Sequence, residues 1–447
     1  MPLEPQTFRD HTLSLFQSAV EAVARAKAPP GAARPGLENN MVRAAAQVAS
    51  FAANNMPLPQ QAPPNIADDA WQTARLVFQY LQARLAGDDA QADALKAQFQ
   101  AGQFDPSWLE TVEQYLQYFG PDGKRRAPQY RPPSKDTPIL TFQLGAVVGL
   151  MADWGTGTAA AINIAKQMAA FNPDVIIHLG DIYYSGTPDE CQHNFLGILG
   201  NVFDLTRVPV YNLTGNHDMY CGGVGYYGLL DKMNPLPLAR QQTSFFCLRC
   251  TDARWQFIAM DTGRFDYDPF GVRNVLVRIG EEEQAWLELR IAEFPGNTIL
   301  LSHHQLFSAF EQIGQAAADG SLTPYNPNLR ATYTAFAAAA ARGRGRIAAW
   351  FWGHEHALSI YAPYLDVEKG RCIGHGAIPV LIGDGNDPLT RLVDPPKLAA
   401  PPLGGIGAVH PHGFVILRFA HDGTCLAEYY NDTEVQRPFY SETLGGV

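Results

Sequence analysis

Residues 174–184 read DVIIHLGDIYY. Within this stretch, the apolar run at residues 175–179 is followed by Gly180 and Asp181. Four further apolar runs also end in polar clusters. They are LGAVVGLM (144–151) before Asp153, VPVYNLT (208–214) before Gly215-Asn216-His217-Asp218, NTILLS (297–302) before His303-His304, and IAAWFW (347–352) before Gly353-His354-Glu355-His356. Buried strands with polar residues at their carboxyl ends are typical of an α/β sheet. The pattern predicts an α/β domain over residues 139–447, with a functional site at one edge of its sheet.

The residues before this domain have a different character. Apolar residues at helical spacing predict helices over Phe8–Ala28, Met41–Ala53, Ala70–Leu85, Ala90–Phe99 and Trp108–Phe119. Residues 121–138 are polar, basic and rich in proline, which indicates a linker. Only His11 of the 12 histidines lies before residue 140, whereas 15 of the 33 prolines do. We therefore expect an all-helical accessory domain over residues 1–135 that takes no part in imidazole chemistry.

Composition excludes several classes of protein. The 447 residues include 33 Lys and Arg against 44 Asp and Glu, a net charge of −11, which argues against a broad nucleic-acid-binding surface. No apolar run approaches the roughly 20 residues of a membrane span. The amino terminus lacks a basic segment followed by an apolar one, and six cysteines are too few for a disulfide framework. We expect a cytoplasmic protein, or a secreted or periplasmic one if a leader has been trimmed.

The polar clusters supply the kinds of side chain that bind metal ions. The candidate ligands are Asp153, Asp181, Tyr184, Asn216, His303, His354 and His356. Mixed nitrogen and oxygen ligands without thiolate suit iron, manganese, zinc or cobalt. Seven ligands are too many for one ion and suit two ions that share a bridging carboxylate. Two metal ions about 3.5–4 Å apart form a clamp for in-line displacement at phosphorus.

The ordered set of motifs resembles the calcineurin-like metallophosphoesterases, in the purple acid phosphatase variant. The motifs are Asp153-x-Gly155, Gly180-Asp181-x-x-Tyr184, Gly215-Asn216-His217-Asp218, the strand-end His303, and Gly353-His354-x-His356. Gly155 stands where most members have a histidine, and Tyr184 stands where the purple acid phosphatase type supplies its tyrosine ligand. The resemblance covers residues 140–430 and implies a four-layer α/β/β/α sandwich. It implies nothing about residues 1–135.

The resemblance also implies a role for each residue. Fe(III) would be bound by Asp153, Asp181, Tyr184 and His356. A divalent iron, zinc or manganese ion would be bound by Asp181, Asn216, His303 and His354, with Asp181 bridging the two ions. His217 would protonate the leaving oxygen, and Asp218 would orient its imidazole. The implied reaction is hydrolysis of a small phosphate ester by metal-bound hydroxide.

Some features leave alternatives open. Gln305 replaces a proline that is common in the family, so His304 stays an alternative to His303, which the alignment of motifs favours. Residues 305–315 lack the substrate-contacting histidines of well-known members, which leaves a phosphodiesterase, for example on cyclic nucleotides, as an alternative to a monoesterase. His193, His304 and His375 are candidates for the substrate pocket, although a surface position is favoured for His193.

Two other interpretations concern the whole chain. A non-catalytic binding module would be expected to lack at least one metal ligand, and every expected ligand type is present. The helical part could bind a partner or form an oligomer. Cys247 and Cys250 resemble half of a zinc knuckle, but in a strand an offset of three residues points the two side chains to opposite faces.

Overall fold

A computed structural model describes most of the chain. The described ranges are 40–102, 127–183, 185–235, 240–267, 276–310, 318–378, 392–400, 410–433 and 437–445. Single positions between these ranges are also described, among them Leu13, Phe16, Val20, Leu109 and Leu116. In these parts of the chain, no helix is long and apolar enough to cross a bilayer.

The described part of the amino-terminal region is mostly helical. Its helices are α1 (Asn40–Ala53), α2 (Asp68–Ala86) and α3 (Asp89–Ala101). Of the two further predicted helices, Phe8–Ala28 and Trp108–Phe119, only single positions are described, and these are helical. Buried side chains from all these segments form one hydrophobic cluster, which we call the helical cluster; it includes Trp71, Phe78 and Leu81. The domain boundary near residue 135 stays a prediction.

The following region alternates helices and strands. The helices are α4 (Ala159–Ala169), α5 (Pro188–Glu190, continued by a π-helical turn at Cys191–Leu196), α6 (Gly197–Val202), α7 (Asn216–Met219), α8 (Val224–Leu230), α9 (Glu281–Ala292) and α10 (Pro327–Arg342). A 3-10 turn occupies Gly263–Phe265. Capping side chains set two of the starts: Thr158 accepts a hydrogen bond from the Ala161 N–H before α4, and Asn326 caps α10 ahead of Pro327.

Thirteen strands are described, and they form two sheets. The strands are β1 (Ile139–Phe142), β2 (Val147–Met151), β3 (Val175–His178), β4 (Val210–Asn212), β5 (Phe246–Cys250), β6 (Trp255–Ala259), β7 (Asn297–Leu301), β8 (Arg346–Trp352), β9 (Leu358–Ile360), β10 (Gly370–Ile373), β11 (Gly413–Phe419), β12 (Cys425–Asn431) and β13 (Tyr440–Gly445). One sheet has the order β1-β5-β6-β7-β8-β10-β9 and the other β13-β12-β11-β2-β3-β4. Strands β2, β3 and β4 are parallel, as are β6, β7 and β8.

The two sheets pack face to face between two layers of helices. Leu150 and Ile177 of one sheet share a buried cluster with Phe257 and Leu301 of the other. The outer face of the six-stranded sheet packs against α4 and neighbouring helices, and that of the seven-stranded sheet against α9 and α10. This arrangement confirms the predicted four-layer α/β/β/α sandwich.

The cysteine pair on β5 follows strand geometry. Cys247 belongs to the outer cluster on the helix side of its sheet, whereas Cys250 belongs to the cluster between the sheets. The two thiols therefore point to opposite faces, as the offset of three residues predicts. All six cysteines of the chain are buried and form no disulfide.

The end of the predicted linker lies along the sandwich. The Gln129 N–H donates to the Gly222 carbonyl at 2.9 Å. Arg131 makes a two-point ion pair with Asp231, at 2.8 and 2.9 Å. These contacts fix the described part of the segment, residues 127–138, against the domain that carries the sheets.

A buried ion pair joins the two sheets. Arg371 of β10 donates to both carboxylate oxygens of Glu442 of β13, at 2.6 and 2.7 Å. We expect Arg371→Met to lower the free energy of unfolding by about 3 kcal/mol, because it leaves the buried carboxylate of Glu442 with the Tyr429 hydroxyl at 2.8 Å and the longer contact to Lys369 at 3.5 Å. Urea unfolding measures this, with the half-exposed pair of Arg418 and Glu428 as the control. Arg418→Met should cost less than about 1 kcal/mol; equal losses in the two variants would contradict the expectation.

Candidate metal centre

The predicted ligands follow strands of both sheets and meet at one edge of the sandwich. Asp153 and Asp181 follow β2 and β3, and Asn216 begins α7 just after β4. His303 follows β7 and His354 follows β8, both strands of the facing sheet. Because these five strands run in the same direction within their sheets, their carboxyl ends bring the five side chains together.

The backbone at three of these positions is strained. Asp153, Asp181 and His354 have φ angles of 53°, 72° and 67°, in the left-handed region that few residues other than glycine adopt. Such conformations cost about 1–3 kcal/mol each and cluster at functional sites. Gly180 has φ 98°, and a Cβ there would lie 2.8 Å from Nδ1 of His303. Residue 180 therefore has to be glycine, because a side chain there would clash with His303 where the loop after β3 passes it.

A first group of four candidate ligand atoms consists of the hydroxyl oxygen of Tyr183 and three atoms around it. This oxygen lies 3.0 Å from Asp153 Oδ1, 3.0 Å from Asp181 Oδ2 and 3.1 Å from His356 Nε2. Asp153 Oδ1 and His356 Nε2 are 3.6 Å apart. Tyr184, the phenol expected at this place, lies outside the described residues.

A second group of four atoms lies beside the first and shares one oxygen with it. Nε2 of His303 is 3.4 Å from Asp181 Oδ2, 3.1 Å from Asn216 Oδ1 and 3.3 Å from His354 Nδ1. Asn216 Oδ1 and His354 Nδ1 are 3.1 Å apart. Nδ1 of His303 lies 2.9 Å from the Leu179 carbonyl, so the proton belongs on Nδ1 and Nε2 is left to bind a metal ion.

The residues of both groups fit two metal ions. Bonds of about 2.1 Å at right angles would hold neighbouring ligand atoms about 3.0 Å apart, close to the separations observed. Burial and the charge of Asp181 raise the pKa of Asp153 to about 7. Burial and the two carboxylates also raise the pKa of Tyr183 well above its usual value. Buried anionic donors crowded in this way are what bound cations stabilise.

His217 lies next to both groups. Its side chain is buried, and its ring centroid is 4.5 Å from that of Tyr183 and 4.8 Å from that of Tyr220. Its Nε2 lies 3.9 Å from Asp181 Oδ2, while its backbone N–H donates to Asp181 Oδ1 at 3.0 Å. The imidazole therefore lies beside Asp181, the residue that both groups share, and contributes none of the atoms described in either group.

The carboxylate of Asp218 joins two loops. It accepts hydrogen bonds from the backbone N–H groups of Asp181 at 2.9 Å, Gly215 at 2.8 Å and Ile182 at 3.3 Å. We expected this carboxylate to orient the imidazole of His217. Its observed contacts instead fix the backbone of the loop that carries Asp181, because the turn at Gly215 brings the carboxylate under that loop.

The three candidate pocket histidines have different surroundings. His304 lies beside the second group, where its Nε2 is 3.1 Å from Asp266 Oδ2 and its ring is 4.4 Å from that of His354. His193 is exposed and pairs with Asp189 at 3.3 Å. His375 is buried, and its ring packs against the backbone of Gly413. Only His304 contacts a ligand group in the described contacts.

Two tyrosines of the site were not expected from the sequence. Tyr183 is adjacent to the predicted Tyr184, which lies outside the described residues, and the motif gave no signal for Tyr183 itself. Tyr220 accepts a hydrogen bond from the side-chain amide of Asn216 at 2.6 Å. It follows Asn216 by four residues, the spacing that brings two side chains to one face of a helical turn.

Comparison with known proteins agrees with this geometry. Residues 146–358 match the model of the calcineurin-like phosphoesterase family. This part of the chain is a calcineurin-like phosphoesterase domain. The match begins just before β2 and ends at β9, so the matched residues include every candidate ligand described above.

Two solved structures are similar to this chain. The purple acid phosphatase PPD1 from yellow lupin (Lupinus luteus) seeds is 17% identical with a TM-score of 0.43, over 67% of this chain and 53% of the lupin chain. GAP50, the anchor in the inner membrane complex of Plasmodium, is 12% identical with a TM-score of 0.44, over 68% of this chain and 89% of its own. The chain thus spans about half the length of the lupin protein. No curated protein sequence matches it.

Proposed function

We propose that the chain hydrolyses a small phosphate ester at a centre of two metal ions. What supports this most is the pair of four-atom groups that share Oδ2 of Asp181, with neighbouring atoms 3.0–3.6 Å apart. One group has two carboxylates and a phenol and suits Fe(III). The other has one carboxylate, one amide and two imidazoles and suits divalent iron, zinc or manganese.

Bound ions would activate the attacking water and neutralise charge on the phosphoryl oxygens. The chain's own part is to hold the groups around them. Asp218 fixes the loop of Asp181 through three backbone hydrogen bonds. His217 is placed to give a proton to the leaving oxygen, because its buried ring packs against Tyr183 and its Nε2 lies 3.9 Å from the shared Oδ2 of Asp181.

We assign the phenol ligand to Tyr183. Its hydroxyl is within 3.1 Å of three other ligand atoms of the first group. An ion at the centre of that group would be within bonding distance of the hydroxyl without movement of the ring. A phenolate is a hard anionic ligand, so this position favours a trivalent ion.

Tyr183 and Tyr184 form a matched pair of variants. We expect Tyr183→Phe to lose the visible tyrosinate-to-iron absorption of the iron-loaded protein and to bind the first ion about 10- to 100-fold more weakly. Tyr184→Phe should keep both properties. Absorption spectra and metal analysis after dialysis measure this. Loss of the absorption band in Tyr184→Phe alone would assign the phenol ligand to Tyr184 instead. Colourless protein that binds two zinc or manganese ions would rule out iron as the first ion.

A substrate panel tests the reaction. The metal-loaded protein is assayed with p-nitrophenyl phosphate, bis(p-nitrophenyl) phosphate and a cyclic nucleotide, and with chelator present as the control. Chelator-sensitive hydrolysis of at least one ester is the expected result, and the preferred ester decides between monoesterase and phosphodiesterase. Absence of hydrolysis with both metal positions filled would overturn the proposed function in favour of a binding module.

A further inference from the structure

The side-chain amide of Asn216 has to be held in one orientation for its oxygen to bind a metal ion. Its Oδ1 lies 3.1 Å from both His303 Nε2 and His354 Nδ1, inside the second group. Its Nδ2 points the other way and donates to the hydroxyl of Tyr220 at 2.6 Å. An amide turned by 180° would present N–H donors to the ion. The hydrogen bond to the hydroxyl of Tyr220 helps to hold the amide in the orientation whose oxygen faces the ion.

The ring and the hydroxyl of Tyr220 contact different parts of the molecule. The ring is 2% exposed and is a member of the helical cluster. Every other buried residue of that cluster lies between positions 13 and 116. Within the described residues, Tyr220 is thus the one buried member that the phosphoesterase domain contributes to the hydrophobic core of the amino-terminal helices.

We infer that Tyr220 is a positioning residue that couples the amino-terminal helices to the second metal position. Its ring is held by the helical cluster, and its hydroxyl holds the amide of Asn216. Packing of the helices therefore sets the affinity for the second ion, whereas the first group has no ligand that Tyr220 contacts in the described hydrogen bonds. The helical region is thus a structural part of the metal centre. This inference rests on the proposed two-metal site.

Tyr220→Phe separates the hydroxyl from the ring. The variant keeps the apolar ring in the helical cluster but removes the acceptor of the Asn216 amide. We expect its affinity for one of the two ions to fall about 10- to 100-fold, with the affinity for the other unchanged. The readout is titration of the metal-free full-length protein with Mn²⁺ and with Zn²⁺. Tyr80→Phe, which removes a hydroxyl from another buried tyrosine of the same cluster, is the control and should match wild type.

A change inside the helices tests the other half of the coupling. Leu81 is fully buried in α2, so Leu81→Ala should lower the temperature at which the helices melt, followed by far-ultraviolet circular dichroism. At a temperature where these helices have melted, affinity for one ion should fall to the level of Tyr220→Phe. Unchanged affinity for both ions at that temperature would contradict the coupling.

The outcomes separate this inference from the proposed function. If wild-type protein binds two ions and hydrolyses an ester but Tyr220→Phe and Tyr80→Phe titrate alike, the coupling is wrong and the phosphoesterase stands. If wild-type protein binds no metal ion, the proposed function itself is wrong.

Discussion

Asp181→Ala is expected to abolish binding of both metal ions and to reduce phosphate-ester hydrolysis to background, a loss of at least about 10⁶-fold. The reason is the position of one oxygen. Asp181 Oδ2 is 3.0 Å from the hydroxyl of Tyr183 in the first ligand group and 3.4 Å from His303 in the second. Metal analysis after dialysis and steady-state hydrolysis measure the two effects.

Folding has to be separated from metal binding in this variant. Without metal ions, Asp181→Ala should be less stable than wild type, because His303 and His217 outweigh burial and hold the pKa of the Asp181 carboxyl well below its usual value, and the variant loses these contacts. Far-ultraviolet circular dichroism has to show that the variant is folded under the conditions of the metal analysis. Asp231→Asn changes an exposed carboxylate in a surface ion pair and should keep both ions and activity within about twofold. An Asp181→Ala protein that still held two ions at full occupancy would contradict the bridging role.

His217→Ala should bind both metal ions normally and still lose about 10²- to 10⁴-fold in kcat. Its imidazole lies beside the two groups without being a member of either, and its backbone N–H bond to Asp181 survives the substitution. The loss should be greatest for alkyl phosphates, whose leaving oxygens need a proton, and smallest for nitrophenyl esters.

The exposed His193 provides the matched histidine control for this variant. His193→Ala should leave kcat within about twofold for both classes of ester, because its ring pairs with Asp189 at the surface. Equal losses in His217→Ala for alkyl and nitrophenyl esters would show that the imidazole is not the proton donor.

Strand-end ligands were predictable from the sequence because two local signals coincide there. Each apolar run identifies a buried strand, and the polar cluster after it marks the carboxyl end. Parallel strands bring such ends to one edge, so Asp153, Asp181 and His303 could be grouped before their distances were known. The four layers followed from the family resemblance, whereas the order of the strands within each sheet was not predicted.

The choice between Tyr183 and Tyr184 depends on backbone geometry that a motif does not contain. Asp181 has a φ of 72°, and the Tyr183 N–H donates to the Gly155 carbonyl at 3.0 Å. These features turn the side chain of Tyr183 toward the carboxylates.

Long-range contacts explain two further features of the site that the sequence did not predict. Asp218 follows His217 directly, yet its carboxylate bonds to the backbone of Asp181, 37 residues earlier. The ring of Tyr220 packs against side chains of the amino-terminal helices, which lie between positions 13 and 116. Neither contact has a signal in local spacing, since each depends on how distant segments pack.

The most direct test of the dinuclear phosphoesterase is to add metal back to the metal-free protein in known amounts while following ester hydrolysis. The shared Oδ2 of Asp181 predicts that hydrolysis rises to a plateau at two ions per chain and that Asp181→Ala shows no rise. A plateau at one ion per chain, or hydrolysis that does not depend on added metal, would contradict the two-metal centre.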